Sequence, residues 1–374
     1  MNELMKKIIF YFIKKRIYNY YNYKVKNLFS LHKSNIVNDK NNELIHINKW
    51  KVFKKKINIK WYLLYSFISN YKDPNFIPED IYYGDIERIL NNSKFNFAYA
   101  DKNNLDRIIN NNMGAHISLR NIDGVFYDQN YNNLKVNDDN LFSLIGRSDR
   151  LIVKKSFDSA GGKFIELFYK NNKEFYKGNN IKLDMNFLNK EYGKNYLIQE
   201  CVNQHDYYRK FNESSVNTVR VMTYRSVENE KIIILHSVLR FGAKNKIVDN
   251  QASGGFSCGI NPAGILNNFY IDKEGNKYNI NNILKNYNDE KYIYKYEDIL
   301  VLAKSLAKLF PYHRLLGFDF CLDINGEVKL LEINNQSIEI NFMQMSCGPL
   351  FREYTDEIIN YCTINKRTFI INES

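Results

Sequence analysis

The stretch GFDFCLDINGEVKLLEINNQ, residues 317–336, decides how this chain is read. Asn325-Gly326 is the strongest short-range signal for a two-residue β-hairpin turn. With that turn Ile324 faces Glu327, and further up the ladder Asp319 faces Glu332. Asn334 lies two residues on and projects from the same side. Phe318, Phe320, Leu331 and Ile333 then point the other way, into a core. Directly opposed side chains have Cβ atoms about 5 Å apart, and like charges there are destabilising. Something positive is therefore expected between Asp319 and Glu332, unless one of them holds a proton.

Upstream of the hairpin, EDILVLAKSLAKLF predicts a helix over about 297–310. From Leu151 the pattern is one of strands: LIVKKSF, KFIELFYK, YLIQECV, NTVRVMTYRS and KIIILHSVLRFG. Strands joined by short turns, with helices between them, predict an α+β body with antiparallel sheets. Residues 93–147 read as a small α/β unit, and a helix is expected around 84–91. At 374 residues the chain is long enough for two or three domains with a large core.

The net charge is +12, but residues 1–60 hold 15 Lys+Arg against three acids, so they account for all of it. The body is balanced, which argues against a nucleic-acid partner. The segment MKKIIFYFIKKRIYNYYNY, residues 5–23, reads as an amphipathic helix. Met5, Ile9, Phe12 and Ile13 fall on one side, with Lys7, Lys14 and Lys15 opposite. Its apolar run, Ile8–Ile13, is too short to span a membrane. Two readings stay open: a helix docked on the body with its lysines in water, or a peripheral contact of residues 1–22 with anionic lipid. Cys201, Cys258, Cys321, Cys347 and Cys362 are scattered and odd in number, as expected of reduced thiols in a cytoplasmic protein. The dispersed histidines give no zinc spacing, and no G-x-S-x-G supports a serine hydrolase.

Two further stretches carry chemistry. LIVKKSFDSAGGKFIEL, 151–167, is a strand, a small-residue loop and a strand, with Lys154 before the loop and Lys163 after it. Glycines let backbone N–H groups approach an anion, although no Walker A pattern is present and an ordinary hairpin turn has the same sequence. NTVRVMTYR and SVLRFGAKNKIVDNQASGGFSCGI supply Arg220, Arg240, Asn250 and Gly254-Gly255. Thr218 and Arg220 share one strand face. An Arg at a strand end before a glycine-rich loop can hold phosphate oxygens, and equally a surface salt bridge.

Taken in order, these stretches resemble the ATP-grasp superfamily, and within it the sugar-transfer-associated ATP-grasp family, over roughly residues 75–345. FIPEDIYYGDIERILNN and ADKNNL extend the similarity upstream. The resemblance implies an ATP-grasp fold: two α+β subdomains with antiparallel sheets clasping ATP, preceded by a basic helical N-terminal segment. It divides the chain into a helical segment 1–70, a small α/β region 71–147, a nucleotide-binding subdomain 148–226, and a metal and catalytic subdomain 227–374 ending in a helix. It implies ATP and Mg²⁺, as many as two ions, as cofactors. Lys154 matches the nucleotide-phosphate lysine, though Lys155 stands where family members usually have Pro. Ser159, Gly161, Gly162 and Lys163 match the loop over the phosphates. Gln199, Glu200, Cys201 and Val202 match the hinge whose main chain reads adenine. Asp319, Glu332 and Asn334 match the Mg²⁺ ligands, which would supply the positive charge that the hairpin asks for. Arg220, Arg240, Asn250 and Gly255 resemble groups around the transferred phosphate and the acceptor.

The implied activity is carboxylate–amine ligation through an acyl phosphate, in surface polysaccharide or capsule assembly, with an amino acid or amine joined to a sugar acid. Two alternatives remain: a sugar or lipid phosphotransferase, and a non-catalytic nucleotide-binding module that recruits glycosyltransferases.

Overall fold

A computed structural model describes residues 3–109, 113–157, 164–178, 180–243, 249, 254–284 and 286–365. Two antiparallel sheets organise the chain. The first contains β1 (Ile117–Ile122), β2 (Val125–Tyr127), β3 (Asn133–Leu134), β4 (Arg150–Lys155), β5 (Ile165–Asn171), β6 (Glu174–Lys177), β7 (Ile181–Lys182) and β8 (Tyr196–Glu200). Its order is β3-β2-β1-β8-β4-β5-β6-β7. The second contains β9 (Thr218–Arg225), β10 (Ile232–Phe241), β11 (Phe256–Ile260), β12 (Phe269–Ile271), β13 (Lys277–Asn279), β14 (Leu315–Leu322) and β15 (Val328–Asn334), in the order β13-β12-β11-β10-β9-β14-β15. The expected subdomain limits cut across these sheets. β1–β3, expected in the 71–147 unit, belong to the sheet of β4–β8, and β9, expected with the nucleotide subdomain, belongs to the second sheet.

Alternation along the central strands of the second sheet sends side chains to two cores. Val219, Val221, Leu316, Phe318 and Phe320 pack under the Tyr296–Ala307 helix. Met222, Tyr224, Val238 and Leu315 face the opposite way, towards the Asn341–Cys347 helix and the N-terminal helices. Thr218, Arg220 and Asp319 share that second face by the period of two. They lie where it runs out of the core and into a cleft.

The hairpin at 317–336 forms, but by another route than expected. The N–H of Asp323 donates to Glu327 O, and Gly326 N–H to Asp323 O, closing a three-residue loop, Ile324–Gly326. Gly326 takes φ +78, which glycine adopts without strain. Phe320 then pairs with Leu330, and a bulge after Leu330 restores Asp319 opposite Glu332. Leu330 therefore takes the core position expected for Leu331, and Leu331 turns to the cleft.

Three N-terminal helices precede the sheets: α1 (Glu3–His32), α2 (Lys40–Trp50) and α3 (Lys60–Ser69). The body of α1 is docked. Val25 is buried, and Ile17, Tyr21, Leu28 and Phe29 pack against the same core. Four basic residues of the N-terminal segment pair with acids of the body: Lys14 with Asp85, Lys24 with Glu79, Lys54 with Asp80 and Lys49 with Asp356. Glu79 and Asp80 are fully buried, so these cations neutralise charges that water does not reach. Tyr21 stacks on Tyr83 at 4.4 Å. A Cβ on Gly84 would lie 2.6 Å from the Tyr18 ring, so glycine is what lets α1 approach. The expected sidedness of this helix is corrected: Lys14 faces the body rather than the lysine-rich outer side.

Candidate functional site

The two sheets face each other across a cleft of about 770 Å³. β4 and β5 contribute Ile152, Lys154, Ile165 and Leu167, and the end of β8 contributes Gln199, Cys201 and Val202. From the second sheet come Arg220, Arg240, Asp319, Leu331, Glu332 and Asn334. The first wall thus sets Lys154 among apolar side chains, and the facing wall carries most of the charge.

Asp319 is held by two guanidinium groups. Arg220 donates to both of its oxygens, Nε to Oδ1 at 2.6 Å and Nη2 to Oδ2 at 2.5 Å. Arg240 Nη1 donates to Oδ2 at 3.2 Å, and Asn334 Nδ2 lies 3.4 Å from the same oxygen. The strand registers bring this about: Asp319 is opposite Arg220 across β14–β9, and β10 lies beyond β9 with Arg240 opposite Thr218. Burial opposes the charge of Asp319, but the two arginines outweigh it and hold its pKa below the ordinary value. Asp249 sits on the far side of Arg240, with Oδ1 3.6 Å from Nη2, and accepts the hydroxyl of Thr218. Burial raises the Asp249 pKa against the Arg240 charge.

Glu332 has a different partner. Lys102 Nζ lies 3.0 Å from its Oε1, and the Glu332 side chain keeps 40% of its surface exposed to the cleft. Enclosure raises its pKa, the Lys102 charge lowers it, and the net direction is down. The positive charge expected between Asp319 and Glu332 is therefore present in the protein itself, with arginines on one carboxylate and lysine on the other.

Lys154 is the contrasting case. Its residue is only 8% exposed, it lines the cleft, and its ammonium has no hydrogen-bond or ion-pair partner among the described residues. Burial pushes its pKa down to about 7, and the Lys102 charge adds to that shift while Glu332 opposes it. A buried cation without a counter-ion is an unfavourable arrangement that an anionic ligand would relieve.

Of the residues singled out in the sequence, the fold brings together Lys154, Gln199, Cys201, Val202, Arg220, Arg240, Asp319, Glu332 and Asn334. Glu200 and Gly255 are outside the cleft lining, Glu200 in β8 and Gly255 just before β11. Ser159, Gly161, Gly162, Lys163 and Asn250 lie outside the described residues. Lys155 points elsewhere, over the Phe164 ring at 5.2 Å. Sequence reasoning missed Lys102 and Asp249 as charge partners. ADKNNL and VDNQASGG were both noted as motifs, but nothing in either marks which charge pairs with which. Among the described residues, no group of three or more His, Cys, Asp and Glu clusters as a metal site.

Residues 85–359 match the family model described as sugar-transfer associated ATP-grasp. No curated protein matches the chain. Among solved structures, N5-carboxyaminoimidazole synthetase from Staphylococcus aureus, complexed with ADP, is similar at 12% identity and TM-score 0.40, over 72% of this chain and 52% of that one. The biotin carboxylase domain of the Hydrogenobacter thermophilus 2-oxoglutarate carboxylase, in complex with MgADP, is similar at 12% identity and TM-score 0.40, over 75% and 49%. The ATP-grasp ligase PsnB, complexed with minimal precursor, gives 13% identity and TM-score 0.37, over 73% and 63%. The match thus spans about half to three-fifths of the length of those chains. The matched model covers most of the chain, including the two facing sheets and the hairpin with which the sequence reading began, and the chain belongs to the sugar-transfer associated ATP-grasp family.

Proposed function

We propose that the protein is an ATP- and Mg²⁺-dependent carboxylate–amine ligase that works through an acyl phosphate. The observation that carries this reading is Lys154: a buried cation without a partner among the described residues, across the cleft from carboxylates held by Arg220, Arg240 and Lys102. In this reading Lys154 takes an ATP phosphate, together with Ser159, Gly161, Gly162 and Lys163. The apolar wall of Ile152, Ile165 and Leu167 takes the adenine, and the main chain of Gln199–Val202 reads its edge. Arg220 and Arg240 neutralise the phosphate in transit, with Asn250 and Gly255 on the acceptor side. Such chemistry depends on positioning and charge neutralisation and needs no protein nucleophile.

The donor set fits Mg²⁺. An ionised carboxylate has about four acceptor positions, and among the described residues Oδ1 of Asp319 receives only the Arg220 Nε. Glu332 opens to the cleft, and Asn334 adds an amide oxygen, giving hard oxygen donors on one sheet face. Asp319, Glu332 and Asn334 would hold the metal, which would supply positive charge against the phosphates. The cations already in the cleft then serve the phosphates and the substrate carboxylate.

The substrates we assign are a sugar acid and an amino acid or amine, joined in surface polysaccharide or capsule biosynthesis. Five free cysteines and a requirement for ATP fit the cytoplasm. Purified protein with ATP, Mg²⁺ and paired pools of sugar acids and amines should release ADP and phosphate only when both pools are present, with an amide product by mass spectrometry. Release of ADP with a stable phosphorylated sugar or lipid, and no need for an amine, would replace ligation by phosphotransfer. No turnover with tight ATP binding would leave a nucleotide-binding module.

A further inference from the structure

The N-terminal helix is two different things along its length. Lys14, Ile17, Tyr18, Tyr21, Val25, Leu28 and His32 meet the body along one stripe at helical spacing. At 100° per residue, Met5, Ile8 and Phe12 fall on the face turned away from that stripe, and Leu4 and Tyr11 lie on its flank. Leu4, Ile8, Tyr11 and Phe12 are 47–67% exposed. The same outward face continues into Lys15 and Arg16, also exposed. The first turns of α1 thus present an apolar face with a basic collar, on a helix fixed to the protein by its later turns.

We infer that this face docks the protein on an anionic lipid surface, through Ile8 and Phe12, flanked by Leu4 and Tyr11, at the acyl boundary and Lys15 and Arg16 at the headgroups. Charge decides the occupant. Residues 1–60 carry a net +12, and the four pairs to body acids leave most of those cations outward. Two copies meeting on this face would bring like charges together, whereas anionic headgroups neutralise them. Tyr11 has an apolar body and a polar tip, which suits an interface. No helix among the described residues is long and apolar enough to cross a membrane, so the contact is peripheral. This inference goes beyond the catalytic reading and does not depend on it.

The test is sedimentation of the full chain with phosphatidylcholine vesicles, with and without about a third of phosphatidylserine, at low and raised salt. The parent should pellet with the anionic vesicles at low salt and be released as salt screens the attraction. Ile8→Asp with Phe12→Asp, and separately Lys15→Glu with Arg16→Glu, should each reduce partitioning on the order of tenfold or more. Both pairs point away from the body, so thermal unfolding should match the parent. Parent protein that stays in the supernatant at low salt overturns the inference. So does undiminished vesicle binding by either variant pair, or equal binding to neutral vesicles. A concentration-dependent dimer in sedimentation velocity, abolished by Ile8→Asp and without vesicle binding, would assign the face to a second copy and overturn it equally.

Discussion

The Arg220 guanidinium spans both oxygens of Asp319, at 2.6 and 2.5 Å, and both residues are at least 95% buried. This pair changes what substitutions at the hairpin report. Removing the charge of a buried ion-pair partner leaves the other charge stranded, which typically costs about 3–5 kcal/mol. Asp319→Asn strands part of the charge of Arg220 and Arg240, so it should lower stability as well as ATP turnover. Glu332→Gln releases only Lys102, from a carboxylate that still meets solvent. It should unfold close to the parent and lose Mg²⁺-dependent turnover. Urea unfolding measured beside ADP release separates the two; parent-like turnover by Glu332→Gln would remove that residue from the metal site.

Lys154→Met should act in opposite directions on stability and ligand. Without ligand, the variant no longer buries an unpaired amine and should be more stable than the parent at pH 7. With ATP it loses a phosphate-facing cation, a loss of about 2–3 kcal/mol in binding. Calorimetry checks both, and unchanged ATP affinity would shift the phosphate role to Lys163.

The same lysine predicts a pH dependence. Its folded pKa, about 7, lies below its ordinary value of 10.5. Between those limits the unfolded chain binds the extra proton, so the stability of the ligand-free parent should rise with pH across that window. The slope is at most about 1.4 kcal/mol per pH unit, and Lys154→Met should lack it. Nucleotide phosphate restores the proton, so ADP binding near pH 8 should take up close to one proton. Titration in buffers of different ionisation enthalpy measures that number; zero uptake would mean that the phosphates do not reach Lys154.

Much of this site was legible because it lies on two local devices. Asn325-Gly326 marks a hairpin, and alternation puts Asp319, Glu332 and Asn334 on one face. The register came out right for a reason the sequence does not display. A three-residue loop replaces the two-residue turn, and the bulge at Leu331 restores the pairing. What was not legible is pairing between distant segments. Lys102 reaches Glu332 across 230 positions of sequence, and Asp249 reaches Arg240 from outside the strands. The charge split of the N-terminus was plain, but its counterpart was not. Glu79, Asp80 and Asp85 look like any acidic stretch until the burial of the first two and the lysine partners of all three single them out.

That counterpart makes a stability prediction for α1. Glu79 is fully buried and bound by Lys24 and by the Tyr65 hydroxyl at 2.8 Å. Lys24→Met leaves the hydroxyl alone to hold a buried carboxylate and should cost about 3–5 kcal/mol. Lys15→Met, on the outward face, should fall within about 0.5 kcal/mol of the parent. Equal stability of the two variants in urea would mean that α1 is not docked through its lysines.

The stretch on which α1 docks also reaches the cleft, through Glu87. This buried carboxylate accepts the N–H of Ile338 at 2.7 Å, while Tyr83 donates its hydroxyl to the Ile338 carbonyl at 2.9 Å. Both backbone groups of Ile338 are thereby held, between Ser337 and Glu339, which line the cleft. Ser337 itself takes φ +50, a conformation that needs such support in a non-glycine residue. Burial raises the Glu87 pKa to about 7, against the lowering by the Ile338 and Ser337 N–H groups. A carboxyl group raised in this way contributes stability that is complete below its unfolded pKa and lost as pH rises through about 7. Glu87→Gln keeps an oxygen for the Ile338 N–H but carries no charge. It should therefore unfold like the parent near pH 4.5 and at higher temperature than the parent near pH 8. Glu87→Ala removes the acceptor and should destabilise at both. If Glu87→Gln is the less stable protein at pH 8, the carboxylate is ionised there and its charge is a favourable part of the clamp on the cleft wall.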